Sequence, residues 1–234
     1  MVNSFRFLTI FAPKMKRIVI FDLDGTLLNT IDDLAAATNH ALACCGYPVH
    51  PVSAYPYFVG NGIDKLFERA LPPDARSATE IARMRASFVP YYNTHCDVYT
   101  RPYDGIVHLL ERLQAAGVAI AVASNKYHEA TRHLIAEYFP AIEFAAVYGQ
   151  REGIPKKPDP AIVNIILSDT GFSTADTVYV GDSGVDMLTA RHAGVESVGV
   201  TWGFRPVDEL QQAGACHIAA DTVELWGYIA DGGK

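Results

Sequence analysis

The sequence predicts an α/β protein, a doubly wound parallel sheet with a small helical domain inserted after its first strand. Three observations carry this reading. From Thr100 onward, short apolar strands alternate with helical patterns, the signature of a parallel sheet with right-handed crossovers. Residues 31 to 99 break that rhythm and contain no strand pattern. Two predicted strands run directly into pairs of acids, Asp22 with Asp24 and Asp182 with Asp186, and open α/β sheets place their ligands at strand ends.

In chain order, residues 1 to 14 carry a short apolar patch and then Pro13. They lack the room for a cleaved leader before the first strand and are expected to be an N-terminal extension without a catalytic part. Met15 stands directly before that strand. Residues 18 to 21, Ile-Val-Ile-Phe, form a run suited to burial on both faces. Residues 32 to 45 predict a helix closed by Gly46-Tyr47-Pro48. Ile63, Leu66, Phe67 and Ala70 share a second helical face, which Leu71-Pro72-Pro73 stops. Ser77 and Glu80 have the spacing of a capping box opening a third helix, with Ile81, Met84 and Phe88 on one face. Pro90 is expected to kink or end it.

Beyond Thr100 the spacing predicts helices over 104–116, 129–138 and 185–193. A further helix is N-capped by Asp159 and runs through Leu167, with Pro160 in its first turn. Strands are predicted over 118–123, 144–148, 177–180 and 197–200. The domains expected are therefore a core from 15–30 and 100–234 and a helical cap from 31–99.

The 234 residues are half hydrophobic, with 19 Lys and Arg against 26 Asp and Glu, a formal charge of −7. Acidic residues spread along the chain argue against affinity for nucleic acid or an anionic membrane. Apolar runs reach strand length only, so no spanning helix is expected. Cys44, Cys45, Cys96 and Cys216 have no metal-ligand spacing. Cys44 and Cys45 read as small core fillers, and a reducing cytoplasm fits best.

Asp22-Leu23-Asp24-Gly25 taken alone is also ordinary turn chemistry. Two carboxylates a few Å apart repel by roughly 4 kcal/mol at an effective dielectric near 20, so the pair needs a cation or a shared proton. Ser124-Asn125-Lys126 follows the 118–123 strand, where a hydroxyl and free N–H groups can hold a phosphoryl oxygen. Lys157, next to Pro158 and a capped helix, has a more fixed position than Lys156, which reads as surface charge. Asp182 and Asp186 are four apart, so a helix start puts them on one side. Four carboxylates at one sheet edge require a cation, and with oxygen ligands and a phosphate to share, Mg²⁺ is expected. No histidine pair has ligand spacing. Trp202 reads as core filler or as a lid over the site.

In order along the chain, Asp-Leu-Asp-Gly-Thr, Ser124, Lys-Pro-Asp-Pro and Gly-Asp-Ser-Gly-Val-Asp, each next to its own strand, resemble the four motifs of the haloacid dehalogenase superfamily. Val59-Gly60-Asn61-Gly62 and Val198–Phe204 (Val-Gly-Val-Thr-Trp-Gly-Phe) narrow the likeness to its bacterial phosphoglycolate phosphatases. The resemblance implies a Mg²⁺-dependent phosphomonoesterase acting on a small phosphorylated metabolite, as monomer or homodimer. Asp22 would be the nucleophile, forming an aspartyl-phosphate, and Asp24 the acid and base. Ser124, Asn125 and Lys157 would stabilise the transferring charge, with Thr26 in the substrate site. The metal would be held by the Asp22 carboxylate, the Asp24 carbonyl and Asp182, with Asp186 orienting from behind.

Asp24 separates the chain from dehalogenases and phosphonatases, which lack it; Lys65 then reads as surface charge. A non-catalytic phospho-switch is the rival from another class, but receiver domains carry no such cap. The substrate expected is 2-phosphoglycolate, with pyrophosphate or a small sugar phosphate as alternatives. Gly60, Asn61 and Gly62 would bring a helix N-terminus close to its carboxylate. Arg69, a turn further on, is expected to make no contact there.

Overall fold

The computed structural model describes residues 15–231; the expected extension at 1–14 lies outside them. Strand β1, Ile18–Phe21, is fully buried. Its side chains alternate between two core layers, Val19 and Phe21 on one face of the sheet, Ile18 and Ile20 on the other. Each such side chain contributes about 1.5–3 kcal/mol on burial.

Around β1 lie β4 (Ala119–Tyr127), β5 (Ala146–Gln150), β6 (Thr177–Gly181), β7 (Glu196–Val200) and β8 (His217–Ala219), in the order β5-β4-β1-β6-β7-β8. All neighbours pair in parallel. The chain leaves β1 toward β4 and β5, then crosses to β6, so the winding reverses beside β1. That crevice is where doubly wound sheets bind ligands. Helices α4 (Ile106–Ala115), α5 (His128–Tyr138), α6 (Ala161–Thr170), α7 (Gly184–Ala193), α8 (Val207–Gln212) and α9 (Thr222–Asp231) complete the layers.

Between β1 and α4 the chain makes a helical insert: α1 (Ile31–Cys44), α2 (Ile63–Ala70) and α3 (Ala78–His95), with 3-10 turns at Val52–Tyr57 and Pro73–Ala75. Its entry and exit are clasped together. Leu28–Asn29 (β2) pairs antiparallel with Arg101–Pro102 (β3), a ribbon too short to read from the sequence. The buried Asp33 carboxylate accepts from the backbone N–H groups of Tyr99 and Thr100 at 2.8–3.1 Å.

Several sequence expectations need correction. Helix α3 passes through Pro90 to His95. An interior proline costs about 3 kcal/mol, but Phe88 and Tyr92, both buried, flank it on the core face and together return as much. The capping box forms by half: Ser77 accepts from the Glu80 N–H, while the Glu80 carboxylate takes Tyr47 and Arg83 instead. Asp159 accepts from the Ala161 N–H at 2.9 Å, but Pro160 holds the N-cap position of α6. Strand β4 runs past Ala123 to Tyr127, with a register irregularity between them. Strand β5 starts two residues later than predicted, at Ala146. Cys44 is exposed, not a core filler, and all four cysteines are free. Among the described residues no helix is long and apolar enough to cross a membrane.

Candidate active site

The ends of β1 and β4 line one cavity, and the end of β6 brings Asp182 and Asp186 close to Asp22. β1 delivers Asp22 on its last turn outward, and Gly25 (φ +88°) lets the chain fold back so that Asp24 faces the same space. The irregular end of β4 brings Ser124, Asn125 and Lys126 into the lining. From the insert come Leu34, Val59, Ile63, Leu66, Phe88 and Tyr92. The floor is thus polar and the roof apolar. The cavity is partly open and offers about 50 Å³ to water-sized groups.

Behind the floor, Lys157 Nζ donates to Asp22 Oδ1 (2.8 Å), Asp186 Oδ1 (2.8 Å) and the Ala123 carbonyl (2.9 Å), beside the Tyr179 hydroxyl at 3.0 Å. All three ion-pair partners are buried. Asp186 is spoken for on both oxygens, the second accepting from the Ser183 N–H and hydroxyl. Asp182 Oδ2 accepts from the Phe204 N–H at 2.7 Å. Single carboxylate oxygens of Asp22, Asp182 and Asp186 lie within 4.8 Å of one another.

With Asp24, these make four carboxyl groups against the two ammonium groups that pair with them, Lys157 and Lys126. The imbalance shows in the acidities. Burial pushes the Asp22 carboxyl up to about 7, against the pull of Lys157. Burial, then Asp186 and Asp22, hold Asp182 well above the usual carboxylate range. Burial opposes the Lys157 ammonium, but Asp186 and Asp22 outweigh it and keep its proton bound. Such buried pairs seldom stabilise a fold better than apolar packing would. Their concentration at three strand ends therefore points to chemistry.

The cluster fits a hard divalent cation. Its donors are carboxylate oxygens, the set that Mg²⁺ takes. Two glycines keep the space around Asp182 tight: a Cβ on Gly25 would lie 2.2 Å from Asp182 Oδ2, and one on Gly203 2.2 Å from Asp182 Cβ. Gly181 plays the same part for Asp186, where an added Cβ would meet Asp186 Cβ at 2.3 Å.

Lys126 of the strand-end motif has no role among the expected site residues. It is buried, and its ammonium bonds both oxygens of Asp24 at 2.9 and 3.1 Å, while the Thr30 hydroxyl donates to Asp24 Oδ1 at 2.7 Å. A lysine at a buried strand end two residues after the site serine was the available signal.

The expected substrate contacts are placed unevenly. Asn125 Nδ2 donates to the carbonyls of Gly60 and Lys157, both at 3.1 Å, and its oxygen accepts from the Lys157 N–H at 2.9 Å. Its amide thus ties the insert's glycine turn to the lysine loop. Gly60 and Gly62 line the cavity, but Gly60 turns a carbonyl to Asn125. Asn61 is not in the lining; its oxygen accepts from Arg69, which also grips the Phe58 carbonyl. Arg69 therefore shapes the turn from outside the cavity lining. Thr26 is buried away from the cavity with its hydroxyl unpartnered. Trp202 Nε1 donates to the Thr26 carbonyl at 3.0 Å and does not line the cavity, so it serves the core. None of the histidines lines it either, and Lys65 pairs with Glu68 at the surface.

A cluster of carboxylates and lysines at strand ends beneath a helical insert defines a class, and the sequence profile agrees. Residues 19–200 match the haloacid dehalogenase-like hydrolases, and the chain belongs to that family. Within it, the chain is similar to phosphoglycolate phosphatases. That of Mesorhizobium japonicum is 34% identical over 213 residues, 89% of this chain and 94% of the relative. That of Neisseria meningitidis is 35% identical, over 83% of this chain and 84% of its own length. A crystal structure from Lactobacillus delbrueckii subsp. bulgaricus superposes with a TM-score of 0.85 at 33% identity, covering 92% of this chain and 99% of that one. The chain is thus an enzyme of the phosphatase branch of the family.

Proposed function

We propose that the chain is a Mg²⁺-dependent phosphomonoesterase that hydrolyses 2-phosphoglycolate through an aspartyl-phosphate on Asp22. The observation that carries this reading is the pairing of Asp22 and Asp24 on one cavity floor, each held by its own lysine. Asp22 attacks phosphorus, and the P–O bond to the leaving alkoxide breaks. Asp24 gives the alkoxide a proton, then takes one from the water that cleaves the acyl phosphate. Lys157 stays charged throughout and offsets the transferring group's charge, with Ser124 and backbone N–H groups at the end of β4 beside it.

Asp22, the Asp24 carbonyl and Asp182 would hold Mg²⁺, which when bound supplies charge neutralisation at the phosphoryl oxygens. Asp186, its oxygens committed to Lys157 and Ser183, positions rather than ligates. The insert, residues 31–99, acts as a cap: its apolar roof excludes water from the acyl phosphate. The likeness to phosphoglycolate phosphatases supports 2-phosphoglycolate as the ester hydrolysed.

The test is phosphate release by purified protein from 2-phosphoglycolate, pyrophosphate and glucose 1-phosphate, with Mg²⁺ and with EDTA. Fastest turnover of 2-phosphoglycolate, abolished by EDTA and restored by Mg²⁺, is expected. Faster turnover of pyrophosphate would reassign the substrate.

A further inference from the structure

The roof of the cavity contains one group that the chemistry at its floor does not use. Tyr92 of α3 is fully buried, lines the cavity, and its hydroxyl has no hydrogen-bond partner. Buried hydroxyls are rarely left unpaired, since burial has already removed their water. The Tyr92 ring lies 4.8 Å from Lys126 Nζ. Lys126 in turn is the one residue of the cavity lining that carries a positive charge. Two contacts of its ammonium go to Asp24, and an ammonium has three hydrogens to give.

A carboxylate bound in this cavity needs donors. The Gly60 carbonyl is an acceptor, already taken by Asn125, and cannot serve a carboxylate. Leu34, Val59, Ile63, Leu66 and Phe88 offer none. Of the other lining side chains, the Tyr127 hydroxyl already donates to Asn93 and the Asn125 amide to the Gly60 and Lys157 carbonyls, and Ser124 serves the phosphoryl group in the proposed mechanism. Tyr92 and Lys126 remain, one from the insert and one from the core, adjacent to each other and to the acid proposed to protonate the leaving group.

We propose that the Tyr92 hydroxyl and the Lys126 ammonium together receive the carboxylate of the substrate's leaving group, and so set a preference for acidic over neutral phosphomonoesters. This rests on the phosphomonoesterase reading above. Both residues act on selectivity, Tyr92 through a neutral donor and Lys126 through a charged one, so the second loss should be larger.

The experiment compares 2-phosphoglycolate with its neutral analogue 2-hydroxyethyl phosphate for wild type, Tyr92→Phe and Lys126→Met. Tyr92→Phe should lower the ratio of the two kcat/KM values about tenfold, chiefly through KM for 2-phosphoglycolate. Lys126→Met should lower it roughly a hundredfold. Because the hydroxyl has no partner to lose, Tyr92→Phe should melt no lower than wild type. Equal losses on both esters, or a lowered melting temperature with the ratio unchanged, would overturn the subsite. A wild type that turns over both esters with no preference would also overturn it while leaving the phosphatase reading intact. A wild type that releases phosphate from neither with Mg²⁺ present would sink that reading instead.

Discussion

The core and the insert meet at one cavity but contribute opposite things to it. The core brings charge: Asp22, Asp182 and Asp186 are buried with carboxylate oxygens within 4.8 Å of one another, Lys157 bonds Asp22 and Asp186, and Lys126 bonds Asp24. The insert brings apolar surface and a single phenol. Charges at this density are tolerable only on a rigid support, and fully buried parallel strands supply one. Apolar groups need no such rigidity to exclude water. On the proposed function, this difference assigns bond breaking to the core and the choice of leaving group to the seam between the two.

The sharpest way to break that division is at Asp22, the proposed nucleophile. Asp22→Asn keeps the shape of the side chain and removes its charge. Activity should fall by several powers of ten, since no group of the insert can replace it. In metal-free protein the melting temperature should hold or rise, because a carboxyl in a surplus of carboxyls has been neutralised. Turnover within tenfold of wild type at saturating Mg²⁺ would show that the division is wrong.

Next comes the packing that shapes the acid cluster. Gly203→Ala places a Cβ 2.2 Å from Asp182 Cβ and 2.4 Å from the Gly25 carbonyl, so the carboxylate must move. The Mg²⁺ concentration for half-maximal activity should rise about 10–100-fold, the range for disturbed ligand support. Gly227→Ala, in α9 with nothing within 4 Å of the new Cβ, is the control. It should leave Mg²⁺ affinity alone and stabilise by about 0.5–1 kcal/mol.

A smaller effect should appear in stability against pH. The folded Asp22 carboxyl, raised from 3.8 to about 7, keeps a proton that the unfolded chain has already released. More protons on the folded side mean that metal-free stability falls as pH rises through this window. Asp182, raised in the same direction, adds to the slope. Mg²⁺ competes with these protons, so its gain in melting temperature should be larger at pH 8 than at pH 5.5. Equal gains at both pH values would mean that these carboxylates do not hold the metal.

The same contrast governs what could be read from the sequence. Asp22, Asp24 and Asp182 were legible because each closely follows an apolar strand, and strand ends converge by topology; Lys157 was legible from Pro158 and the helix start beside it. Lys126 was visible but unassigned, since nothing in a linear sequence says that it reaches Asp24 rather than water. The insert was harder. Helical spacing marked Leu66 and Phe88 as apolar face, yet periodicity does not distinguish residues facing a cavity from those filling a core. Tyr92 was lost for a particular reason: it stands four residues after Phe88, on the same face, but beyond Pro90, where the helix was expected to bend or stop. The clasp of Asp33 on Tyr99 and Thr100 joins residues 66 and 67 apart, a separation over which local patterns carry no information.

The smallest effect should come from the charged contact across the seam. Lys156 Nζ lies 3.5 Å from Asp64 Oδ2, joining core to insert, with the side chains 35% and 41% exposed. Exposed pairs of this kind contribute about 0–1 kcal/mol and are screened by salt. Asp64 also keeps Arg85 as a partner. The buried ties across the same seam do not depend on Lys156: Asn125 still donates to the Gly60 carbonyl, and Arg205 to the Val59 carbonyl at 2.9 Å. Lys156→Gln should therefore raise KM less than about threefold, the equivalent of roughly 0.6 kcal/mol, and leave kcat unchanged. The difference from wild type should vanish at 0.5 M salt, where the screening length is about 4–5 Å. Asn125→Ala, by contrast, removes a buried tie at the same place and should cost kcat as well, because the Lys157 loop hangs from the same amide. If Lys156→Gln lowered kcat tenfold in a salt-independent way, the seam would be part of the catalytic machinery, and the separation of chemistry from selection would have to be redrawn around it.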